Sequence, residues 1–248
     1  MPEKDSYIWL LDSSCTQPLI TIPWLLVKHE SLFMNMRKSE IIIFGIIIIS
    51  FAIGIYYYPQ MPEKVASHWN AQGQVNGYMS KFWGLFLMPI ISVGMLLLFF
   101  LIPRIDPLNS NIQQFRKYYD GFVVLIMVFL FYLYLLTIFW NFGYTFNMTI
   151  FLSPALAILF YYTGILIEHA KRNWFVGIRT PWTLSSDNVW DKTHRIGGKL
   201  FKIAGVVTLI AIFFQEFAIF IIVFPVIIVS IYTVVYSYFE YQEEKKRK

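Results

Sequence analysis

Long apolar runs, broken only by short polar stretches, constrain the fold of this chain more than any other feature. Four runs approach the ~20 residues that an α-helix needs to cross the ~30 Å hydrocarbon core of a bilayer, namely residues 41–58, 82–102, 122–140 and 148–167. Pro89 and Pro154 lie inside two of them, which transmembrane helices tolerate because their neighbours satisfy the freed carbonyls. Only 14% of the residues are charged, against about 25% in a soluble domain. We therefore predict an all-α integral membrane protein of the plasma membrane.

The last apolar block, residues 200–239, is too long for a single crossing, because one helix of that length would extend ~60 Å. Two helices joined by a turn at Gln215–Glu216 fit better. Loop charges support two crossings, since seventeen of the twenty Lys and Arg residues then share a side with the start of the first helix, and only Lys64 and Lys81 fall on the other. Basic loops stay in the cytoplasm. The predicted fold is a six-helix transmembrane bundle with N and C termini cytoplasmic.

The predicted organisation has five parts. Residues 37–103 hold the first two transmembrane helices and a polar outside loop, 59–81; residues 104–147 hold an inside loop, the third transmembrane helix and a short outside loop; residues 148–239 hold three transmembrane helices and a cytoplasmic loop, 168–199; residues 240–248 are a basic tail. Residues 1–36 are an N-terminal extension without a spanning run. Met34 and Met36 directly precede the first helix, which favours an over-extended start; the alternative is an interfacial segment anchored by Trp9 and Trp24.

One stretch of the predicted cytoplasmic loop, residues 171–199 (the polar segment), differs from the apolar sequence around it. It holds six of the twenty Lys and Arg residues and three Trp residues, more than a simple connection requires. Arg179 offers a rigid fork of donors for a carboxylate or phosphate, and Trp182 follows Pro181, which restricts the backbone. We expect Arg179 and Trp182 to form the centre of a binding surface that lies on the membrane and faces a partner.

Two interpretations of the acidic residues in the polar segment remain open. Ser185 or Ser186 is a candidate cap for a helix, and that helix would place Asp187, Asp191 and His194 on one face. Such a face resembles a divalent-cation site, but a solvated face that interacts with the helix dipole is the more common explanation. The chain offers no Cys or second His at ligand spacing here. We therefore expect no metal.

The sequence carries no nucleophile motif, phosphate-binding loop or zinc-protease motif. Ionisable residues are also missing from the middle of the predicted spans, which argues against an ion-coupled transporter. The net charge of +5 is explained by the cytoplasmic loops rather than by nucleic acid. We predict a protein that is not an enzyme, uses no cofactor and does not bind nucleic acid directly.

The predicted outside loop carries a second group of candidate residues. Asn76–Gly77 is a turn signal, and the candidates for binding are His68, Asn70, Gly73, Asn76, Gly77, Tyr78 and Lys81. The alternative is that Trp69 and Tyr78 only anchor the loop at the membrane interface.

The two loops together resemble a known family. The pattern HWN-x-x-G-x-x-NGY-x-x-K from His68 to Lys81 resembles a small domain of unknown function at the N-terminus of many six-helix membrane proteins. The second motif closely resembles the signature of the SdpI family; its candidate binding residues are Asn173, Phe175, Gly177, Arg179, Thr180, Pro181, Trp182, Trp190, Thr193, His194, Arg195 and Gly198. Members of that family confer immunity to a secreted peptide toxin, and signalling to a transcriptional repressor is described within it.

The resemblance implies that the outside loop meets a secreted peptide toxin and that the polar segment binds a transcriptional regulator. A second hypothesis is a membrane-embedded enzyme or binding protein that acts on lipid headgroups at the cytoplasmic face. Its polar centre would be formed by Arg179, Asp187, Asp191 and His194.

Overall fold

The computed structural model describes residues 37–247, so the predictions for residues 1–36 lie outside the described part of the chain. Residues 37–247 fold into helices and one β-hairpin, in the order α1 (Lys38–Tyr57), β1 (Lys64–Trp69), β2 (Val75–Ser80), α2 (Lys81–Ile105), α3 (Asn109–Gln114), α4 (Arg116–Asn141), α5 (Met148–His169), α6 (Pro181–Ser185), α7 (Asp187–Thr208) and α8 (Ala218–Arg247).

Five helical stretches of the described chain are long and apolar enough to cross a membrane, namely Lys38–Gln60, Lys81–Ile105, Arg116–Asn141, Met148–His169 and Gln215–Arg247. Large apolar side chains are exposed along them, as at Ile48 and Ile228, which are 66% and 64% exposed. Lipid would cover such side chains. The four separate apolar runs predicted as helices are therefore confirmed as helices, and α7 is not among the five because its first half is polar.

The last apolar block divides where the sequence indicates. Helix α7 ends at Thr208, two 3₁₀ turns follow at Leu209–Ile212 and Gln215–Phe217, and α8 then packs against α7. The predicted break at Gln215–Glu216 is confirmed. Helix α7 nevertheless begins at Asp187, well before the apolar block, because the Ser186 hydroxyl caps it by accepting from the backbone N–H of Val189 at 3.4 Å.

Helices α5 and α7 form the most extensive helix–helix interface of the described chain. Small residues make their close approach possible: a Cβ at Gly198 would lie 2.6 Å from the carbonyl oxygen of Gly164, and a Cβ at Gly205 would lie 2.7 Å from that of Ala157. These positions repeat at seven-residue spacing on both helices, as expected for a membrane interface that packs through small residues. The Lys202 ammonium also pairs with the Glu168 carboxylate at 2.7 Å across it.

The β-hairpin lies between α1 and α2, in the predicted outside loop. Its turn is formed by residues 70–74, where the Asn70 side-chain oxygen accepts from the N–H groups of Gln72 and Gln74 and Gly73 has φ +75°. The turn predicted at Asn76–Gly77 is wrong, since both residues lie in β2. Gly77 instead opposes His68, where a Cβ would lie 2.9 Å from the His68 Cβ.

The hairpin and the polar segment lie at opposite ends of the helices. Asn141, at the end of α4, accepts from the N–H of Ala66 at 2.7 Å and donates to its carbonyl at 3.1 Å. Asn147, at the start of α5, donates to the Gln72 carbonyl at 3.0 Å. At the other end, α3 contacts the polar segment, as Asn111 donates to the Arg172 carbonyl at 2.7 Å.

Candidate functional site

The polar segment is a folded unit organised around a fully buried asparagine. The Asn173 side-chain oxygen accepts from the N–H groups of Phe175 and Val176 at 2.9 and 2.6 Å. Its amide nitrogen donates to the carbonyls of Lys171 and Val176, each at 2.8 Å. Four hydrogen bonds from one buried side chain hold a loop that has no regular secondary structure.

A second buried group joins this loop to α7. The Trp190 indole donates to the Ala170 carbonyl at 2.7 Å, and its ring stacks on the His194 imidazole with centroids 3.9 Å apart. His194 Nε2 lies 3.0 Å from the backbone nitrogen of Ile178, and Nδ1 lies 2.8 Å from the Trp190 carbonyl. Because the first partner donates and the second accepts, these contacts assign the neutral tautomer with its proton on Nδ1.

Burial favours the same state of His194. It lowers the pKa of the imidazole from its ordinary value of 6.5 to about 4, although the hydrogen bond to Trp190 opposes the shift. Gly177 makes room for the ring: it has φ +116°, and a Cβ there would overlap His194 Nε2. His194 and Gly177 therefore act together as one structural contact, not as a free proton donor.

The structure does not bring the side chains of Asp187, Asp191 and His194 together, as the cation-site alternative would require. Asp187 pairs with the Arg172 guanidinium at 2.7 Å, Asp191 pairs with Lys171 at 3.5 Å, and His194 points into the interior. Helical spacing puts the three on one side of α7, but burial turns the imidazole away from the carboxylates. Within residues 37–247 no three His, Cys, Asp or Glu side chains converge as metal ligands would.

The remaining residues of the second motif connect the polar segment to α8. Thr180 and Thr183 form a capping box at the start of α6, and the Thr180 hydroxyl lies 3.0 Å from that of Ser237. Pro181 occupies the first turn of α6, and Trp182 packs edge-on against Tyr238 with ring centroids 5.2 Å apart. Trp182 is half-buried in this contact, so only part of its ring faces outward.

Exposed and buried positions alternate among the other candidates. Arg179 is exposed, and one of its nitrogens donates to the Trp174 carbonyl at 2.5 Å. Arg195 is exposed on α7, whereas Thr193 is fully buried with its hydroxyl unpartnered in the described chain. Phe175 is 36% exposed. The structure therefore separates the second motif into a buried framework and a few exposed side chains.

Several residues that support the polar segment were not predicted. Asp106 is 2% exposed, and its carboxylate accepts from the backbone N–H groups of Trp174 and Leu108 at 2.9 and 2.7 Å. On α8, Glu240 pairs with Lys192 at 2.6 Å. The Asp106-Pro107 dipeptide signals a turn, but no sequence signal identifies a partner 68 positions away.

An apolar cavity of about 440 Å³ lies beneath the polar segment. Residues 175–178 line it on the side of the loop, and helices α2, α4, α5, α7 and α8 supply the other walls. This volume falls within the about 300–1,000 Å³ of ligand pockets.

At the other end, the structure brings the hairpin candidates into three groups. His68 Nδ1 lies 2.6 Å from the Asn76 side-chain oxygen, with Gly77 opposite. Asn70 and Gly73 shape the turn, and Lys81 pairs with Glu63 at 2.8 Å. Tyr78 stands apart from all three groups and is 61% exposed.

Comparison with known proteins finds one match that includes the polar segment and another that includes the hairpin. Residues 169–237 match the SdpI/YfhL protein family, and residues 45–93 match a domain of unknown function, DUF1648. Immunity protein SdpI of Bacillus subtilis (strain 168) is 25% identical over 177 residues, which cover 71% of this chain and 83% of that protein. No solved structure matches.

The chain is a multi-pass helical membrane protein that is similar to the SdpI family over residues 169–237. The resemblance to the SdpI family that the two motifs predict is thus confirmed. The SdpI segment contains the polar segment, the rest of α7 and most of α8, and the DUF1648 segment contains the hairpin with parts of the two helices that flank it.

Proposed function

We propose that this chain is a plasma-membrane immunity protein that protects its cell against a secreted peptide toxin and catalyses no reaction. The observation that carries the proposal is its similarity to Immunity protein SdpI, which extends over 83% of that protein. The structure supports the non-catalytic part of the proposal, because the polar residues of the SdpI segment are largely engaged with one another.

A lipid-modifying enzyme finds less support. Its proposed polar centre would require Arg179, Asp187, Asp191 and His194 to converge. Asp187 and Asp191 pair instead with Arg172 and Lys171, and His194 is buried with both ring nitrogens engaged.

The proposed topology has six crossings with both termini cytoplasmic. Five of these crossings are the long apolar helices, and the additional one, before α8, would use the apolar end of α7 and its 3₁₀ extension, residues 200–214. The Lys202–Glu168 ion pair reduces the free-energy cost of placing the one basic side chain of this stretch in the membrane. The polar segment and the C-terminal end of α8 would face the cytoplasm because together they carry nine of the seventeen Lys and Arg residues of the described chain. The hairpin, at the other end of α4 and α5, would face outside.

Cysteine labelling tests this topology. In a Cys15→Ser background, Gln74→Cys in the hairpin turn should react with a membrane-impermeant maleimide in intact cells, whereas Asn188→Cys on α7 should react only after lysis. Both residues are exposed. Labelling of Asn188→Cys in intact cells would place the polar segment outside and contradict the topology.

The hairpin is proposed to meet the toxin, and the polar segment to meet a transcriptional regulator. Tyr78 is the exposed aromatic side chain of the hairpin candidates. Arg195 and Lys199 are exposed on α7 without a partner in the described chain, and they suit an acidic surface on the regulator.

Survival of a toxin-sensitive strain tests immunity. Cells that express the chain should survive co-culture with a strain that secretes the toxin, while cells with empty vector should not. Tyr78→Ser should reduce survival more than Tyr144→Ser, a matched control that is 69% exposed in the loop between α4 and α5. No protection, at a membrane level equal to that of a protective SdpI-family protein, would refute the immunity role.

A further inference from the structure

The side-chain hydroxyl groups that line the cavity beneath the polar segment have no free donor for water. Hydroxyl groups line part of it, but each donates within the protein: Thr163 to the Leu159 carbonyl at 2.7 Å, Ser230 to that of Val226 at 2.8 Å and Thr233 to that of Ser230 at 3.0 Å. The Tyr119 hydroxyl likewise donates to the Phe99 carbonyl at 2.8 Å. With those donors used, the surface is hydrocarbon-like, and such cavities accept apolar groups rather than water.

The cavity is accessible from the bilayer. Val234 and Ser230 line it from α8, and both side chains are exposed on a helix that is long and apolar enough to span the membrane. Phe175, 36% exposed, lines it from the polar segment. A hydrocarbon chain that enters between α8 and the polar segment would thus pass from the bilayer into the protein without crossing a polar surface.

Positive charge stands next to the polar end of the cavity. Arg179 directly follows Ile178, a lining residue, and its exposed guanidinium uses one donor on the Trp174 carbonyl. Arg104, on α2, is also exposed, but it does not line the cavity, and its guanidinium donates to the Phe100 carbonyl at 2.6 Å. A third arginine, Arg116, is instead paired with Asp120 at 2.9 Å. Arg179, which directly follows the lining segment 175–178, therefore retains donors for an anion.

We propose that this cavity binds one acyl chain of an anionic phospholipid, whose phosphate is held by Arg179. The apolar walls select a hydrocarbon chain, and the guanidinium selects a phosphate through paired hydrogen bonds. A phospholipid supplies both groups on one molecule and is always present in the surrounding bilayer. The assignment is independent of the toxin-immunity proposal, because it depends only on the cavity and its charged rim.

Lipid retention by the purified full-length protein tests the proposal. Native mass spectrometry would titrate the protein, in dodecyl maltoside, with dioleoyl-phosphatidylglycerol and with dioleoyl-phosphatidylcholine, which have the same chains. The parent protein should bind the anionic lipid about tenfold more tightly, a ratio that corresponds to about 1.4 kcal/mol.

Two matched pairs of variants distinguish the contribution of the arginine charge to lipid binding from that of the cavity. Arg179→Gln should abolish the preference for the anionic lipid while Arg195→Gln keeps it. Val234→Trp, at a lining position that is 44% exposed, should weaken both lipids about tenfold, while Val235→Trp, 47% exposed but not lining the cavity, should not. Ser230→Leu is a smaller change that reduces the same volume if the Val234→Trp protein does not fold.

Three results would overturn the assignment. The first is that the parent protein binds the two lipids equally, and the second is that the two members of a matched pair of variants behave alike. The third is that a substitution that fills the cavity lowers the survival of cells exposed to the toxin while lipid binding is unchanged. The third result would indicate that the cavity binds the peptide toxin. A substitution in the hairpin that abolishes immunity but leaves lipid binding unchanged would bear on the toxin site and not on the cavity.

Discussion

The neutral His194 imidazole makes the stability of the polar segment depend on pH. In the folded chain the ring accepts the Ile178 N–H through Nε2, and protonation of that nitrogen would turn an acceptor into a donor facing a donor. The perturbation is therefore a fall in pH from about 7.5 to about 5, across the range in which an ordinary histidine gains its proton.

The magnitude follows from the two pKa values. In the unfolded chain His194 titrates at its ordinary pKa of 6.5, and in the folded chain burial lowers that pKa to about 4. The contribution to stability is present in full above pH 6.5 and is lost as the pH falls toward 4, because the unfolded state then binds a proton that the folded state does not. At about 1.36 kcal/mol per pH unit, the loss by pH 5 is about 2 kcal/mol.

The assay is thermal unfolding of the purified protein in detergent, followed through the pH range. A loss of about 2 kcal/mol corresponds to about 4–8 °C for a chain of this size. His194→Gln removes the titrating group, so it should flatten the dependence of the melting temperature on pH. It keeps an oxygen that can accept from Ile178 but loses the ring that stacks on Trp190, so it should also lower the melting temperature at neutral pH. His169→Gln is the matched control, since His169 is exposed and bonds to the Ile165 carbonyl of its own helix.

The difference between the parent and His194→Gln isolates this group from the carboxylates, which titrate in both proteins. Parallel pH profiles for the two proteins would refute the reasoning and show that His194 is not held neutral by its surroundings.

Three further predictions concern packing and metals. Asn173→Ala should lower the free energy of unfolding by about 3 kcal/mol, because buried N–H groups lose their acceptor, whereas denaturation of Asn188→Ala, a change at an exposed position, should differ from the parent by less than about 0.5 kcal/mol. Gly205→Ala should cost about 1–3 kcal/mol in the same measurement, because its Cβ would press on the backbone of α5; Gly94→Ala, with nothing within 4 Å, should have little effect. EDTA should leave the melting temperature unchanged, because the carboxylates of the polar segment face basic side chains; a large decrease would indicate a bound metal.

The helices could be predicted because membrane burial leaves a strong signal in the sequence. Each long apolar run is helical, and the division near Gln215 followed from the length that a bilayer permits. The hairpin was missed because its strands are six residues each and its turn depends on Asn70 accepting from two backbone N–H groups. The pair Asn76–Gly77 is a strong turn signal, but here a glycine is required by the close approach of His68.

The candidate site was predictable in its residues but not in their roles. The motif identified the positions, yet density of charge and aromatic rings did not distinguish framework from surface. Trp190 and His194 are buried, while Arg179 remains exposed. What decides between these outcomes is long-range contact, such as Asp106 with Trp174 or Lys192 with Glu240, and a single sequence carries no record of such pairs.

The contact between Asn141 and Ala66 has a consequence for how the hairpin can associate. A free strand edge is a template on which another chain can add as a new strand, and this is a common origin of aggregation. On β1 the amide of one side chain imitates a neighbouring peptide unit, as it accepts from the Ala66 N–H and donates to the Ala66 carbonyl. The middle of that edge is therefore closed to strand addition, and an extended peptide would have to pair along β2.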